Sequence, residues 1–106
     1  MLGKAKVREI ARKYSDEVKK ALDPVSVILF GSYVSGNPHE WSDIDVAVLV
    51  DNVADDNWYD TCVLLQKIRR NRDFIDIEPH LLNANYDPSG FVEHVIKTGE
   101  VIYQAT

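Results

Sequence analysis

Two aspartates, Asp43 and Asp45, stand two positions apart at the head of an apolar run. In a strand, residues two apart project to the same face, with their Cα atoms about 6.6 Å apart. Their carboxylates can therefore converge on one or two metal ions, while Ile44, Val46 and Val48 point the other way and anchor the strand. Like charges so close repel unless something cationic sits between them. A small number of hard oxygen ligands, with room left for phosphate, suits Mg²⁺. Gly31-Ser32 lies at the end of another apolar run, with ten residues between Ser32 and Asp43. A glycine there lets the backbone approach a ligand closely. A serine opening the next turn offers a hydroxyl and backbone N–H groups to a phosphate.

A third carboxylate is expected from a neighbouring strand. The segment from Phe74 to Leu82 offers Asp76 and Glu78 on one face, with His80 following if the strand continues past Pro79. Proline removes a ladder donor, which makes this segment an edge strand or a strand end. Each piece alone has a commonplace reading: a turn, a solvated strand start, the wet face of an edge strand. Taken together they place acids and a phosphate-sized turn at one end of one sheet. His80 reads as a partly exposed structural histidine, and His39 and His94 as loop and helix-surface residues. Trp41, beside the aspartates, could cover the site, stack on a base or simply pack.

Several elements must hold these residues in place. Val7, Ile10, Ala11, Tyr14, Val18, Ala21 and Leu22 recur at spacings of three and four. They predict an amphipathic helix over 3–22, ended by Asp23-Pro24. Val25 to Phe30 and Ile44 to Val50 read as buried strands, the second apolar on both faces and so a central strand covered on both sides. Only a helical turn and loop (33–42) separate them, which suits an antiparallel pair. After a polar loop over 51–57, Trp58, Cys62, Leu65 and Ile68 mark a second long helix ending near Asn71. Cys62 falls on its apolar stripe and is expected in the core. The cluster Lys67, Arg69, Arg70 and Arg72 reads as a helix C-terminus answering its dipole. Phe74 to Leu82 is the third strand. Asp87-Pro88 reads as an N-cap with proline at the first helical position, Phe91, Val92, Val95 and Ile96 as the next apolar helix face, and Gly99 as its C-terminal cap. Val101 to Gln104 is a last, edge strand.

The expected fold is a mixed α/β (α+β) domain, with a sheet of three to four strands flanked by helices, in a single domain over 1–106. The 106 residues are enough to bury roughly 65% of the unfolded surface. Hydrophobic residues make up 45% of them, an ordinary globular proportion. A net charge of -5 disfavours gripping a nucleic-acid backbone directly. The lone cysteine excludes an internal disulfide and suits a reducing compartment. The longest unbroken apolar run, Val46 to Val50, is far short of a membrane span. The expectation is a soluble, cytoplasmic protein.

Gly31-Ser32, ten residues, then Asp43-Ile44-Asp45 resembles the signature of the polymerase-β-type nucleotidyltransferase superfamily, and most closely its minimal, single-domain branch. Ile77-Glu78-Pro79-His80 and Lys97-Thr98-Gly99 resemble that branch as well. The resemblance implies that Asp43, Asp45 and a third acid bind Mg²⁺, two ions in all, and that Ser32 and the backbone at Gly31 hold the β- and γ-phosphates. The third acid would also help deprotonate the acceptor hydroxyl. Relatives use either aspartate or glutamate there, so Asp76 and Glu78 both stand, with Glu78 favoured.

The implied reaction moves NMP, AMP from ATP in the first instance, onto a hydroxyl. Larger relatives carry a second domain for the acceptor, so here a second copy or another protein must complete that site. The resemblance further implies a toxin–antitoxin pair, with this chain the antitoxin and a tyrosine of a HEPN-domain toxin the acceptor. Two other readings stand beside it. One is a binding module that neutralises its partner by covering it, without catalysis. The other is a small-molecule modifier resembling aminoglycoside nucleotidyltransferases.

Overall fold

The computed structural model describes residues 2–36, 38, 43–51, 53 and 55–106. The elements run α1 (Lys4–Ala21), β1 (Ser26–Phe30), α2 (Ser32–Ser35), β2 (Ile44–Val50), α3 (Asp55–Arg69), a 3₁₀ turn (Arg72–Phe74), β3 (Ile77–Asn83), α4 (Phe91–Thr98) and β4 (Glu100–Gln104). The strands form one mixed sheet in the order β3-β2-β1-β4. β1 pairs antiparallel with both β2 and β4, and β2 pairs parallel with β3. β2 is therefore central, and β3 and β4 are edges, as expected from their sequences.

Strand alternation divides the sheet into two faces. One presents Val27, Leu29, Ile44, Val46, Val48, Val50 and Ile77 to α1, through Val7, Ala11, Tyr14 and Val18, and to Leu65 of α3. Each aliphatic side chain removed from water in this way stabilises the fold by about 1.5–3 kcal/mol. The Tyr14 hydroxyl reaches across this core and donates to the Leu65 carbonyl at 2.8 Å, and burial pushes its pKa well up. The other face carries Ile28, Ala47 and Leu49 against Val92 and Val95 of α4. The solvated side of α1 bears ion pairs such as Lys13–Glu9 and Lys20–Glu17, which contribute little because water screens them.

Several boundaries differ from the sequence reading. α3 begins at Asp55, inside the segment read as loop. Phe74 belongs to the 3₁₀ turn, with β3 starting at Ile77. The segment narrows here because Phe74 turns into the core and packs edge-on against Tyr14, 5.4 Å between ring centroids. α4 starts at Phe91, a turn after Asp87-Pro88, yet Asp87 still caps it. Its carboxylate accepts the N–H groups of Val92 at 2.9 Å and Glu93 at 3.0 Å.

Gly99 closes α4 with φ −84, a conformation open to any residue. The glycine is needed for space instead, since a Cβ there would meet Ile28 and would lie 2.6 Å from the Val95 carbonyl oxygen. Cys62 is half-buried rather than in the core. Arg69 does more than answer a helix dipole. Its guanidinium donates to the carbonyls of Ile75 (3.0 Å) and Ile77, clipping the end of α3 to the start of β3.

Candidate active site

The parallel register of β2 and β3 sets Asp45 directly opposite Glu78. The antiparallel register of β1 and β2 sets Asp45 opposite Phe30. Phe30, Asp45 and Glu78 thus form one row across three strands, on the α4 face, with Asp43 one pleat before Asp45. Arg69 fixes the entry to β3 and so helps hold this row in line. Ile44, Val46 and Ile77, on the opposite face, are fully buried and anchor both strands beneath the acids.

The acids interact. The Glu78 carboxyl is raised above the usual carboxylate range, first by hydrogen bonding to Asp43, then by burial, with further contributions from the Asp43 and Asp45 charges, while His80 opposes the shift. The crowding of negative charge around Glu78 is what a bound cation would relieve. Asp45 meets a different partner, the Nε2 of His80, 3.1 Å from its Oδ1. Asp76 takes no part in this cluster. It lies in the turn before β3, where its carbonyl accepts the N–H of Ile44 at 2.8 Å. Of the two candidate third acids, Glu78 is the one brought to Asp43 and Asp45.

Gly31 follows β1 with φ 84 and ψ −154, a region essentially confined to glycine. A Cβ at Gly31 would run into the Asp45 carboxylate. The bare Cα is what lets the turn approach the acids. The Gly31 carbonyl accepts the N–H groups of Val34 (3.0 Å) and Ser35 (2.9 Å), which winds α2 away from the strand with Ser32 at its first position. Among the described residues, an open groove of about 540 Å³ runs between this turn and α4, lined by Phe30, Gly31, Ser32, Val34, Phe91 and His94. His94 thus lines a groove beside Ser32 while lying on an exposed helix. No sequence signal marks that position, because it depends on how α4 sits over β1. A cavity of about 310 Å³ near the far end of β3, lined by Trp58, Leu82, Tyr86 and Phe91 among others, carries none of the candidate acids. Trp41 and His39 lie outside the described residues.

The oxygen donors able to meet a hard cation here are those of Asp43, Asp45 and Glu78. Among the described residues no three metal-binding side chains are already gathered around one point. Asp45 instead engages His80, and Glu78 lies close enough to Asp43 and Asp45 to feel their charge.

Comparison with known proteins settles the family. Residues 6–106 match the model described as Polymerase beta, Nucleotidyltransferase. The chain belongs to this nucleotidyltransferase family. It is 28% identical over 102 residues to the protein named "Putative protein adenylyltransferase MJ0126" of Methanocaldococcus jannaschii, covering 93% of this chain and 95% of that protein. A crystal structure of a nucleotidyltransferase from Sulfolobus solfataricus, so described with the qualifier "putative", superposes with a TM-score of 0.70 at 19% identity, covering 95% of this chain and 83% of the other. A chain from the complex of a tri-AMPylated Shewanella oneidensis HEPN toxin with its MNT antitoxin gives a TM-score of 0.58 at 19% identity, covering 92% and 73%. At such identities these likenesses speak to the fold, which is that of the polymerase-β-like nucleotidyltransferases. No described helix of this nucleotidyltransferase is long and apolar enough to cross a membrane.

Proposed function

We propose that this nucleotidyltransferase domain, a single unit over 1–106, transfers AMP from ATP to a hydroxyl of a partner protein in a Mg²⁺-dependent reaction. The observation that carries this reading is the register that sets Glu78 opposite Asp45, with Asp43 one pleat before it and Asp45 against the bare Cα of Gly31. Acids and a close-approaching turn are the two halves that a nucleotidyl transfer needs.

In the reaction the acceptor oxygen attacks the α-phosphorus. A new P–O bond forms, the bond to the α,β-bridging oxygen breaks, and pyrophosphate leaves. Asp43, Asp45 and Glu78 would hold the metal. When bound, Mg²⁺ supplies charge neutralisation for the attacking and leaving oxygens. The Gly31-Ser32 turn orients the β- and γ-phosphates, with the groove between α2 and α4 leaving room beside it. Glu78 would take the acceptor hydroxyl proton, a role that suits a carboxyl whose affinity for protons is already raised.

The partner we propose is a HEPN-domain toxin, with this chain its antitoxin in the cytoplasm. The adenylyltransferase name of the Methanocaldococcus relative and the AMPylated HEPN toxin bound by the Shewanella antitoxin support that assignment. The test is to incubate the purified chain with α-labelled ATP and Mg²⁺, with and without a candidate HEPN protein. Label on the HEPN protein, lost in Asp43→Asn/Asp45→Asn, is the expected result. Tight complex formation and full neutralisation without label would replace the enzymatic reading with occlusion.

A further inference from the structure

We propose that His80 is a positioning residue for the transfer, holding the Asp45 carboxylate in the orientation that receives the metal-bound triphosphate. The inference rests on the assignment of Asp45 as a metal ligand made above.

His80 Nε2 lies 3.1 Å from Asp45 Oδ1, where an N–H on that nitrogen donates to the carboxylate. Asp45 Oδ2, meanwhile, faces the Cα of Gly31. The carboxylate is thus engaged from two sides, one oxygen on the imidazole and the other turned toward the phosphate turn. The terminal torsion of an aspartate is broad and nearly two-fold, so nothing within Asp45 itself selects this orientation.

The imidazole is in turn held in place. His80 sits opposite Ala47, one pleat beyond Glu78, where a small neighbour leaves the ring room to lean back toward Asp45. Its ring meets Phe30 at 5.0 Å between centroids and 64° between planes, and Phe30 meets Phe91 of α4 at 5.8 Å and 79°. Edge-to-face contacts of this kind favour a defined ring orientation. The path from α4 to Asp45 therefore runs Phe91, Phe30, His80. Partners that orient metal-binding groups typically change metal affinity tenfold to a hundredfold when removed. An imidazole already committed to a carboxylate, beside three hard oxygen donors, serves Mg²⁺ better as an orienting group than as a ligand.

The experiment compares wild type, His80→Ala, His80→Gln and Asp43→Asn/Asp45→Asn. Binding of Mn²⁺ with α,β-methylene-ATP is followed by calorimetry and by the Mn²⁺ electron paramagnetic resonance signal, and metal-free melting is recorded for each. The structure assigns His80→Ala a metal-free melting temperature close to wild type and binding about tenfold to a hundredfold weaker. His80→Gln, whose amide can still donate to Asp45, should stay within about threefold of wild type, the shortfall reflecting an ordinary neutral hydrogen bond. Unchanged binding in His80→Ala, or His80→Gln as weak as His80→Ala, would overturn the assignment. If the double aspartate variant also binds normally, the fault lies in the metal reading of the acids and not only in the role of His80.

Discussion

Asp45 and Glu78 are direct partners in the parallel pairing of β2 and β3, although 32 residues and the whole of α3 separate them in sequence. That register depends on features remote from the acids. Ile44 and Ile77 are buried opposite each other beneath them, and Arg69 ties the end of α3 to the first residues of β3. A slip of one residue would turn Glu78 to the core face and Ile77 to solvent, which the apolar packing forbids.

Glu78→Gln separates stability from function. Its raised carboxyl means that the fold binds the proton more tightly than the unfolded chain does. The contribution of this group to metal-free stability is therefore fully present below the ordinary value of about 4.3 and is lost as pH rises through the folded value. Glutamine removes that loss. At neutral pH without metal, Glu78→Gln should melt at or above the wild-type temperature. With Mg²⁺ and nucleotide, wild type should gain stability and the variant much less. Equal gains in the two proteins would remove Glu78 from the metal site.

Gly31→Ala should be damaging twice over. Alanine at φ 84 and ψ −154 is strained by about 1–3 kcal/mol, and its Cβ would displace the Asp45 carboxylate. Melting should fall and transfer should be lost. Near-normal transfer in this variant would show that close approach of the turn to Asp45 is dispensable.

Gly99→Ala distinguishes a cap from a close contact. Were conformation alone at issue, alanine at φ −84 would stabilise by about 0.4–1 kcal/mol through the unfolded chain. The crowding against Ile28 and the Val95 carbonyl reverses the sign, to a loss of about 1–3 kcal/mol. Urea denaturation measures which sign holds.

Asp87 ties α4 in place through the N–H groups of Val92 and Glu93, which hold its carboxyl below the ordinary range, Val92 contributing most. Its stabilisation is fully present above the unfolded value of about 3.9 and is lost as pH falls through the lower folded value. Asp87→Ala should melt below wild type at neutral pH, and the gap should close in acid. A gap that stays constant down to pH 2 would assign the effect to something other than this ionised cap.

Much of this was legible in the sequence. Period-two spacing put Asp43 and Asp45 on one face, and strand polarity followed from the brevity of the link between Phe30 and Ile44. The apolar stripe Val7, Ala11, Tyr14, Val18 marked α1 because helical period and burial coincide there. What escaped depends on tertiary placement. Asp76 and Glu78 share a face only if the strand includes both, and the strand begins one residue after Asp76 because Phe74 turns into the core. His80 gave no sign of its partner, since its hydrogen bond spans 35 positions and requires the β2–β3 register. Gly99 was placed at the right boundary for the wrong reason, because a contact with β1 leaves no local trace.

The most direct test of the central claim compares the fate of two labels. ATP carrying label at the α-phosphate, or separately at the γ-phosphate, is incubated with the chain, Mg²⁺ and the acceptor protein. The account predicts that α-label becomes covalently bound to the acceptor while γ-label leaves as pyrophosphate, and that both changes vanish in Asp43→Asn/Asp45→Asn. Transfer of γ-label to the acceptor, or transfer of α-label that survives loss of both aspartates, would contradict it.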